Sequence, residues 1–428
     1  MASDAFSELE WRGLVSDSTE GLRDVLSREK VTLYIGFDPT AASLHVGSLL
    51  PMMSLARMQR CGHAPIAIVG GGTGMIGDPS GKTAERQLLS VEQIDANLEG
   101  IRGQLSKVLD FDAPSNPARI VNNADWLRKL DLLGFLRDIG KYFTVNYMLA
   151  KESVKRRLES EDGISYTEFS YLMLQSYDFL ELFDRYACTL QMGGTDQWGN
   201  ITAGCDLIRR LRGARAHGLV MPLVTTASGV KFGKTEAGAV WLDPEMTSPF
   251  RFYQFWLNTD DRDVAKYLKF FTFLGRDEIA SLEAALSAAP EKREAQRVLA
   301  REVTRTLHGQ DAVDRAEHAS GLLFGERIGE LDADDIIAVY DDVPSTELGP
   351  AIFGGDGLAI ADMLVATKLA ASRGEAMRLV KGGGVYVNNR RVGDERARFT
   401  VGQAIAGRVF VLRKGSRQYH LVRVGHTA

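Results

Sequence analysis

The stretch from Val31 to Ser48, VTLYIGFDPTAASLHVGS, places the strongest constraint on what this chain can fold into. Alternate residues from Leu33 to Phe37 are apolar, which is the period of a β-strand, and a proline turn at Asp38 ends the pattern. A helix is predicted to begin near Ser43. His45 would then lie in its first turn, where free backbone N–H groups and the helix dipole favour an anion. The stretch therefore predicts a nucleotide site.

A second motif lies far downstream, at VKFGKT, where Lys231 and Lys234 flank a glycine. Two lysines in such a loop can neutralise phosphate charge. Together, HVGS (His45 to Ser48) and KFGKT (Lys231 to Thr235) resemble the HIGH and KMSKS signatures of class I aminoacyl-tRNA synthetases in order and separation. Ser48 departs from the first signature, which ends in His, so a hydroxyl replaces an imidazole near the nucleotide.

A glycine-rich segment, GGGTGMIGDPSGKT, follows a second predicted strand and matches two other nucleotide-binding patterns imperfectly. A P-loop needs four residues between its glycines, and the segment from Gly77 to Thr83 has three. A dinucleotide-binding turn needs a helix after its third glycine, where Asp78-Pro79 interrupts. We favour a third interpretation, in which the glycines let the backbone approach a substrate closely. Asp78 would then face an ammonium group, while Lys82 and Arg86 would reach polyphosphate.

The segment YTEFSYLMLQSYDFLELF predicts a helix with a polar stripe. Tyr171, Gln175 and Asp178 are spaced i, i+4 and i+7, so a phenol, an amide and a carboxylate share one helix face. An aromatic core stripe is the alternative interpretation. Buried polar groups need hydrogen-bond partners, however, and a bound polar ligand is one natural partner.

The segment CTLQMGGTDQWGN predicts a strand, a Gly-Gly turn and the start of a helix. Asp196 and Gln197 fall where this strand ends. Open α/β sheets bind ligands at the carboxyl ends of their strands. An aspartate in this position commonly accepts hydrogen bonds from ribose hydroxyls.

Length and composition fit a globular protein of two or three domains, with 428 residues and a net charge of -5. We expect a cytoplasmic protein without membrane association, because the chain lacks both a signal-peptide pattern and an apolar run of membrane-spanning length. Its three cysteines, Cys61, Cys188 and Cys205, are widely separated and form no CxxC pair. That spacing argues against both a disulfide framework and a zinc site.

Charge is distributed unevenly along the chain. Residues 361–428 contain 13 Lys and Arg but only 4 Asp and Glu, whereas the whole chain is acidic. A basic terminal module on an acidic body predicts a polyanionic partner. A soluble basic domain without such a partner remains the alternative.

Five motifs give the chain a specific resemblance to the bacterial tyrosyl-tRNA synthetases: YIGFDPTAASLHVGS, GDPSGKTAER, EFSYLMLQSYDFL, GGTDQWGNITAG and KFGKT. The resemblance implies an α/β catalytic domain over residues 1–245, with a Rossmann-like, doubly wound parallel sheet. An α-helical domain for the anticodon arm would span 246–328 and a linker 329–356. A small α+β domain over 357–428 resembles the S4 RNA-binding domain through SRGEAMRLVKGGGVYVNN.

The resemblance also implies a role for each matched residue. Six would bind the substrate tyrosine: Tyr34, Asp78, Tyr171, Gln175, Asp178 and Gln197. Of these, Tyr34 and Asp178 would hydrogen-bond the phenolic hydroxyl and Gln197 would lie near the carboxylate, while the other three would hold the α-ammonium group. Phenylalanine would leave Tyr34 and Asp178 without partners, so no editing domain is expected.

The remaining implied residues act on ATP or on RNA. ATP would be bound by Gly36, Asp38, Thr40, His45, Gly47, Asp196, Lys231 and Lys234. The reacting phosphates would be stabilised by Thr40, His45, Lys82, Arg86, Lys231, Lys234 and Thr235. RNA phosphates would contact Arg373, Arg378, Lys381, Arg390 and Arg391.

The implied enzyme would activate tyrosine with ATP and transfer it to tRNA. Mg²⁺ would arrive with ATP, no tightly bound cofactor or protein metal site is expected, and the family implies a homodimer. Three alternatives remain. They are a tryptophan-charging relative, which lacks a use for Tyr34 and Asp178, a non-catalytic RNA-binding descendant, and a nicotinamide dehydrogenase.

Overall fold

The computed structural model describes residues 4–80, 90–159, 163–227, 229, 232–235, 238–324, 336, 343–415 and 418–425. The side chains of Val91, Lys234, Thr235 and residues 321–324 are outside this description. The chain divides into two compact units, Met1–Gly309 and Gln310–Ala428.

The first unit alternates strands and helices up to Met221 and is helical after Pro249. Its strands are β1 (Asp17–Ser18), β2 (Thr32–Phe37), β3 (Ala64–Val69), β4 (Arg119–Asn122), β5 (Cys188–Gly194), β6 (His217–Met221), β7 (Lys234–Thr235) and β8 (Gly238–Ala239). Its helices up to Met221 are α1 (Ala5–Trp11), α2 (Leu22–Arg28), α3 (Leu49–Arg60), α4 (Val91–Leu105), α5 (Ala124–Leu127), α6 (Leu132–Asp138), α7 (Val145–Leu149), α8 (Glu152–Leu158), α9 (Tyr166–Tyr186) and α10 (Trp198–Arg212). The later helices are α11 (Pro249–Leu257), α12 (Asp261–Phe271), α13 (Arg276–Ala288) and α14 (Glu294–His308).

Six strands form the sheet that carries the site, in the order β1-β6-β5-β2-β3-β4. All neighbouring pairs are parallel except β1 with β6. From β2 the chain continues outward through β3 and β4 on one side, while β5 and β6 extend the sheet on the other. The predicted α/β, doubly wound parallel sheet is confirmed. Its strand order reverses between β2 and β5, which is where such sheets open a crevice for ligands.

The helix after β2 starts later than the sequence predicts. A short 3₁₀ turn covers Val46–Ser48 and α3 begins at Leu49, so the predicted start near Ser43 is wrong. The reason is tertiary pairing. Val46 N–H donates to the Val240 carbonyl and Leu242 N–H donates to the Leu44 carbonyl, at 2.9 Å each. These bonds hold the chain before Val46 extended.

Helices α11 to α14 belong to the same compact unit as the sheet, so the predicted boundary between residues 245 and 246 falls inside that unit. Two buried arginines connect these helices to the part of the unit that contains the sheet. Arg57 of α3 donates to the carbonyls of Phe270 and Thr272 at 2.7 and 2.8 Å, and Arg12 donates to the Leu274 carbonyl at 2.8 Å. They satisfy the carbonyl groups at the end of α12 that lack intrahelical partners.

Three helices and seven strands of the second unit have described bounds, and residue 336 is also helical. The helices are α15 (Gln310–Phe324), α16 (Ile360–Ala366) and α17 (Arg373–Lys381). The strands are β9 (Ser345–Leu348), β10 (Leu358–Ala359), β11 (Val385–Val387), β12 (Arg390–Arg391), β13 (Arg398–Phe399), β14 (Val409–Lys414) and β15 (Gln418–Val424). Five of the strands form a sheet in the order β12-β11-β14-β15-β9.

The linker predicted over 329–356 is wrong in its second part, because β9 pairs in parallel with β15. Phe353 is also buried, and its ring stacks on Phe410 at a centroid distance of 5.4 Å. The prediction failed because turn-forming prolines and glycines flank a four-residue edge strand whose exposure alternates, so no apolar run marks it. The parts of this linker at 329–335 and 337–342 lie outside the described residues.

None of the helices in the described ranges is long and apolar enough to cross a membrane.

Candidate active site

A cavity of about 270 Å³ opens at the carboxyl ends of β2 and β5, at the reversal of strand order. Most of the residues predicted to bind tyrosine or ATP line it. They are Tyr34, Gly36, Asp38, Gly47, Asp78, Tyr171, Gln175, Asp178, Asp196 and Gln197. Residues distant in the sequence are thus brought to one place by the parallel sheet. The predicted polar stripe of α9 faces this cavity rather than the core.

Tyr34 and Asp178 are two buried polar residues that line this cavity. Tyr34 is 1% exposed, and within the described part of the chain its hydroxyl has no hydrogen-bond partner. Its ring meets Phe179 edge-on at 5.3 Å. Burial, and then the nearby Asp178 carboxylate, raise the pKa of Tyr34 well above its usual value. A buried phenol without a partner is costly, so this hydroxyl is suited to a ligand that supplies one.

Asp178 is held by two donors that the sequence analysis did not predict. Asn123 Nδ2 donates to its Oδ2 at 2.8 Å, and Trp126 Nε1 donates to its Oδ1 at 2.7 Å. Burial raises the pKa of Asp178 to about 7, and these two hydrogen bonds oppose that rise by stabilising the ionised form. The two donors therefore orient the carboxylate and favour its ionised form before any ligand binds.

A chain of amides connects three further predicted residues. Gln197 Nε2 donates to Asp78 Oδ2 at 2.7 Å, and Gln175 Nε2 donates to Gln197 Oε1 at 3.2 Å. Asn200 Nδ2 donates to Gln175 Oε1 at 2.9 Å. Burial and the charge of Asp38 raise the pKa of Asp78, while hydrogen bonds from Ser80 and Gln197 lower it. The network fixes three amide groups and a carboxylate, which are groups that can hydrogen-bond an ammonium and a carboxylate.

Thr40 and His45 are not among the described residues that line the cavity. Thr40 is exposed, and its N–H donates to the Asp38 carbonyl at 2.9 Å. His45 Nδ1 accepts a 2.9 Å hydrogen bond from Gly47 N–H. A Cβ on Gly47 would lie 2.6 Å from His45 Cε1, so only glycine lets this imidazole fold over the turn.

The lysine-containing motif lies against the histidine-containing motif. The φ of Gly233 is +80°, and a Cβ there would lie 2.7 Å from Val46 Cγ2. Val240 N–H donates to the Gly233 carbonyl at 3.1 Å, and Val240 in turn accepts from Val46. The backbone of Lys234 and Thr235 continues into β7, which pairs with β8. Predicted residues Lys82, Arg86 and Lys231, and the side chains of Lys234 and Thr235, lie outside the described residues.

Five polar residues at or next to the cavity were not among the predicted site residues: Thr73, Asn123, Trp126, Gln191 and Asn200. Gln191 carried a usable signal, since it is a polar residue between two apolar ones, Leu190 and Met192, in the middle of a strand. Its Oε1 is buried without a hydrogen-bond partner among the described residues. Asn123 follows the end of β4, where a pocket residue is expected. Trp126 carried no signal, because only the tertiary fold brings it to Asp178.

The five predicted RNA-contacting residues are all exposed on the second unit. Arg373, Arg378 and Lys381 lie on α17, and Arg390 and Arg391 form β12. Arg391 Nε donates to the Gly383 carbonyl at 3.1 Å, which places β12 beside the turn that ends α17. Arg373 is paired with Asp362. Strand β12 thus lies beside the end of α17 that carries Lys381, whereas Arg373 is at the other end of this helix.

In the described part of the chain, no group of three or more His, Cys, Asp or Glu side chains is placed to hold a metal ion.

Comparison with known proteins gives a family for both parts of the chain. Residues 26–325 match the model described as tRNA synthetases class I (W and Y), and residues 335–422 match that of the tyrosine–tRNA ligase SYY-like C-terminal domain. The fold, the two signature motifs and the site at the sheet crevice are thus those of a class I aminoacyl-tRNA synthetase.

The curated relatives identify one family within this class. A tyrosine–tRNA ligase of Roseiflexus castenholzii is 58% identical over 97% of this chain and 98% of its own length. One of Geobacillus stearothermophilus is 52% identical over 98% and 99%. A C-terminally truncated mitochondrial tyrosyl-tRNA synthetase of Aspergillus nidulans has a TM-score of 0.68 at 33% identity, covering 75% of this chain and 94% of that one. The chain belongs to the tyrosine–tRNA ligase family.

Proposed function

We propose that the cavity at β2 and β5 binds L-tyrosine with its phenolic hydroxyl between Tyr34 and Asp178. The hydroxyl would accept from Tyr34 and donate to Asp178. The observation that carries this assignment is the buried Tyr34 hydroxyl, which has no partner among the described residues. Phenylalanine would leave both groups unpaired. Tyrosyl-tRNA synthetases are the established example of such discrimination, which reaches about 10⁵-fold in that enzyme class.

The other end of the substrate meets the amide network. Asp78, Tyr171 and Gln175 would hold the α-ammonium group, and Gln197 would lie near the carboxylate. The charge on Asp78 supports an ammonium partner, because a cation would offset the burial that raises its pKa. The network keeps these groups oriented, so little ordering is required when tyrosine binds.

ATP would occupy the part of the cavity near Gly36, Asp38, Gly47 and Asp196, with Asp196 accepting from the ribose. The tyrosine carboxylate would attack the α-phosphate in line, giving tyrosyl-adenylate and pyrophosphate. Thr40, His45, Lys82, Arg86, Lys231, Lys234 and Thr235 would stabilise the charge that develops on the departing phosphates. The reaction needs positioning and charge neutralisation rather than a protein nucleophile. The contact between Gly233 and Val46 supports a shared phosphate site for the two motifs.

Mg²⁺ would reach this site on the phosphates of ATP, as it commonly does in nucleotide enzymes. The adenylate would then be attacked by the terminal ribose hydroxyl of tRNA.

Residues 246–328 would bind the anticodon arm. The second unit would bind tRNA phosphates through Arg373, Arg378, Lys381, Arg390 and Arg391, and the exposure of all five side chains supports this. A cytoplasmic location is proposed with the same role.

A homodimer is proposed from the surface of the segment after β4. Leu132 and Leu133 on α6 are 69% and 75% exposed, and Val145 on α7 is 61% exposed. Helix α6 has no buried residue at all. Large apolar side chains at this density are typical of a protein interface. Sedimentation of the wild type and of Leu133→Asp tests this, and a wild-type monomer at micromolar concentration would contradict it.

Amino-acid-dependent ATP–pyrophosphate exchange tests the assignment of the substrate. We expect exchange with tyrosine but not with phenylalanine or tryptophan. Tyr34→Phe should lower the preference for tyrosine over phenylalanine by about 10-fold or more, because one hydrogen bond is lost while the cavity keeps its shape. Tyr186→Phe, a control outside the residues lining the cavity, should retain it. An unchanged preference in Tyr34→Phe would contradict the proposal.

A further inference from the structure

Phe232 lies inside the lysine-containing motif, yet its side chain is buried away from solvent, with 5% exposure. It directly follows Lys231 in the sequence and is separated from Lys234 by Gly233 alone. An aromatic residue in a phosphate-binding loop has no charge to offer the phosphates. Its role must therefore be sought in what its ring contacts.

The ring of Phe232 is enclosed by aromatic side chains of α11 and α12. It stacks on Phe271 with centroids 5.4 Å apart and an interplanar angle of 9°. It also meets Tyr267, Phe255 and Trp256 at 5.0, 5.6 and 5.8 Å. Aromatic pairs at such distances are stabilising beyond their buried area. The lysine motif is thus attached through one side chain to helices that lie outside the ATP site.

The backbone that follows Phe232 is held by contacts with the histidine motif and with Val240. Gly233 contacts Val46 of the histidine motif so closely that a Cβ would overlap it, and its carbonyl accepts from Val240. The next residue, Lys234, pairs with Ala239 in the two-stranded ladder of β7 and β8. The Cα of Lys234 is therefore located by Phe232 on one side and by the histidine motif on the other.

We propose that Phe232 is a positioning residue for ATP, which locates the backbone of Lys234 by inserting its ring between α11 and α12. This inference rests on the proposed role of the two lysines at the phosphates. A shorter side chain at this position leaves the aromatic cluster partly empty and lets the lysine backbone shift. Small displacements of charge-neutralising groups cost rate far more than they cost substrate binding.

The test compares Phe232→Leu with Phe252→Leu in the full chain. Phe252 is fully buried in the same aromatic region, where it contacts Trp256 and His308, so its replacement removes a similar amount of packing without touching the lysine motif. Thermal unfolding, tyrosine binding by equilibrium dialysis, and kcat and KM for ATP in pyrophosphate exchange are measured for each. We expect kcat/KM for ATP to fall about 10- to 100-fold in Phe232→Leu only, with tyrosine affinity unchanged.

Phe271→Leu supplies a second variant that leaves the sequence of the lysine motif intact. It should give the same signature, and the double variant with Phe232→Leu should be little worse than either single one, because both remove the same stacking contact. Equal ATP kinetics in Phe232→Leu and Phe252→Leu, beside an impaired Lys234→Ala, would overturn the role of Phe232. Unchanged ATP kinetics in Lys234→Ala would instead overturn the proposed role of the lysine.

Discussion

The indole Nε1–H of Trp126 donates a 2.7 Å hydrogen bond to Oδ1 of Asp178, a carboxylate 3% exposed and 52 residues further along the chain. With Asn123 on the other oxygen, both carboxylate oxygens are oriented by donors from the segment that follows β4. Donors to a buried carboxylate favour its ionised form. The ionisation of Asp178 therefore depends on burial, which raises its pKa, and on Asn123 and Trp126, which oppose that rise.

Replacement of Trp126 by Phe should raise the pKa of Asp178 above about 7, because one of its two donors is lost. The acidic limb of the profile of kcat/KM for tyrosine against pH should then move to higher pH. Near neutral pH, kcat/KM should fall about 10- to 100-fold, the usual range for a lost hydrogen bond to a charged group. Trp11→Phe is a matched control, since Trp11 donates in the same way to Glu8, away from the cavity. Identical profiles for wild type and Trp126→Phe would contradict the linkage.

The pH dependence of stability offers an independent test of the same carboxylate. Burial raises the pKa of Asp178 to about 7 in the folded chain, from an unfolded value near 4. The folded state therefore prefers the protonated form, and the associated stability is complete below about pH 4 and lost as pH rises through about 7. Urea unfolding of wild type and Asp178→Asn without tyrosine should show the wild type losing stability relative to the variant between about pH 4 and pH 7. A difference that stays constant across this range would contradict the raised pKa.

Gly47 should tolerate no side chain. A Cβ would meet His45 Cε1 at 2.6 Å and Nδ1 at 2.8 Å, so Gly47→Ala must displace the imidazole from the turn. We expect kcat for pyrophosphate exchange to fall about 10- to 100-fold while tyrosine affinity is retained, because Tyr34 and Asp178 are untouched. Gly103→Ala in helix α4 is the control, since nothing lies within 4 Å of the added methyl group. Full activity in Gly47→Ala would show that the position of His45 is unimportant.

Local patterns in the sequence predicted those parts of the fold and site that depend on local structure. The alternation in β2, the polar stripe of α9 and the Asp196-Gln197 pair after β5 could be predicted because strand period, helix spacing and strand ends are sequence-local properties. The sheet then brings these segments together, which the family resemblance implied and periodicity did not.

Features determined by distant pairing could not be predicted in this way. The turn before α3 is held extended by Val240 and Leu242, and β9 exists because β15 lies beside it. The role of Trp126 likewise depends on its hydrogen bond to Asp178. In each case the partner that determines the structure is far away in the sequence. The local residues alone are also compatible with a helix before α3, a linker in place of β9, and an ordinary core aromatic at Trp126.

The end of α12 provides a prediction about stability rather than chemistry. Arg57 is 1% exposed and donates to the Lys269, Phe270 and Thr272 carbonyls. Arg57→Met would leave the Phe270 carbonyl without this donor, while Arg12 would still donate to the carbonyls of Lys269 and Thr272. We expect the free energy of unfolding to fall by about 2 kcal/mol, the cost of one unsatisfied buried carbonyl. Urea denaturation followed by far-UV circular dichroism measures this.

The control for Arg57→Met is Arg209→Met, which removes an exposed pair with Asp206 and should cost less than about 1 kcal/mol. Arg12 donates to two of the same carbonyls, those of Lys269 and Thr272, at 3.0 and 3.2 Å. The effects of Arg12→Met and Arg57→Met should therefore not add, because the second removal leaves carbonyls that the first arginine had still satisfied. The double variant should lose more stability than the sum of the single losses, and strict additivity would contradict a shared role of the two arginines at this helix end.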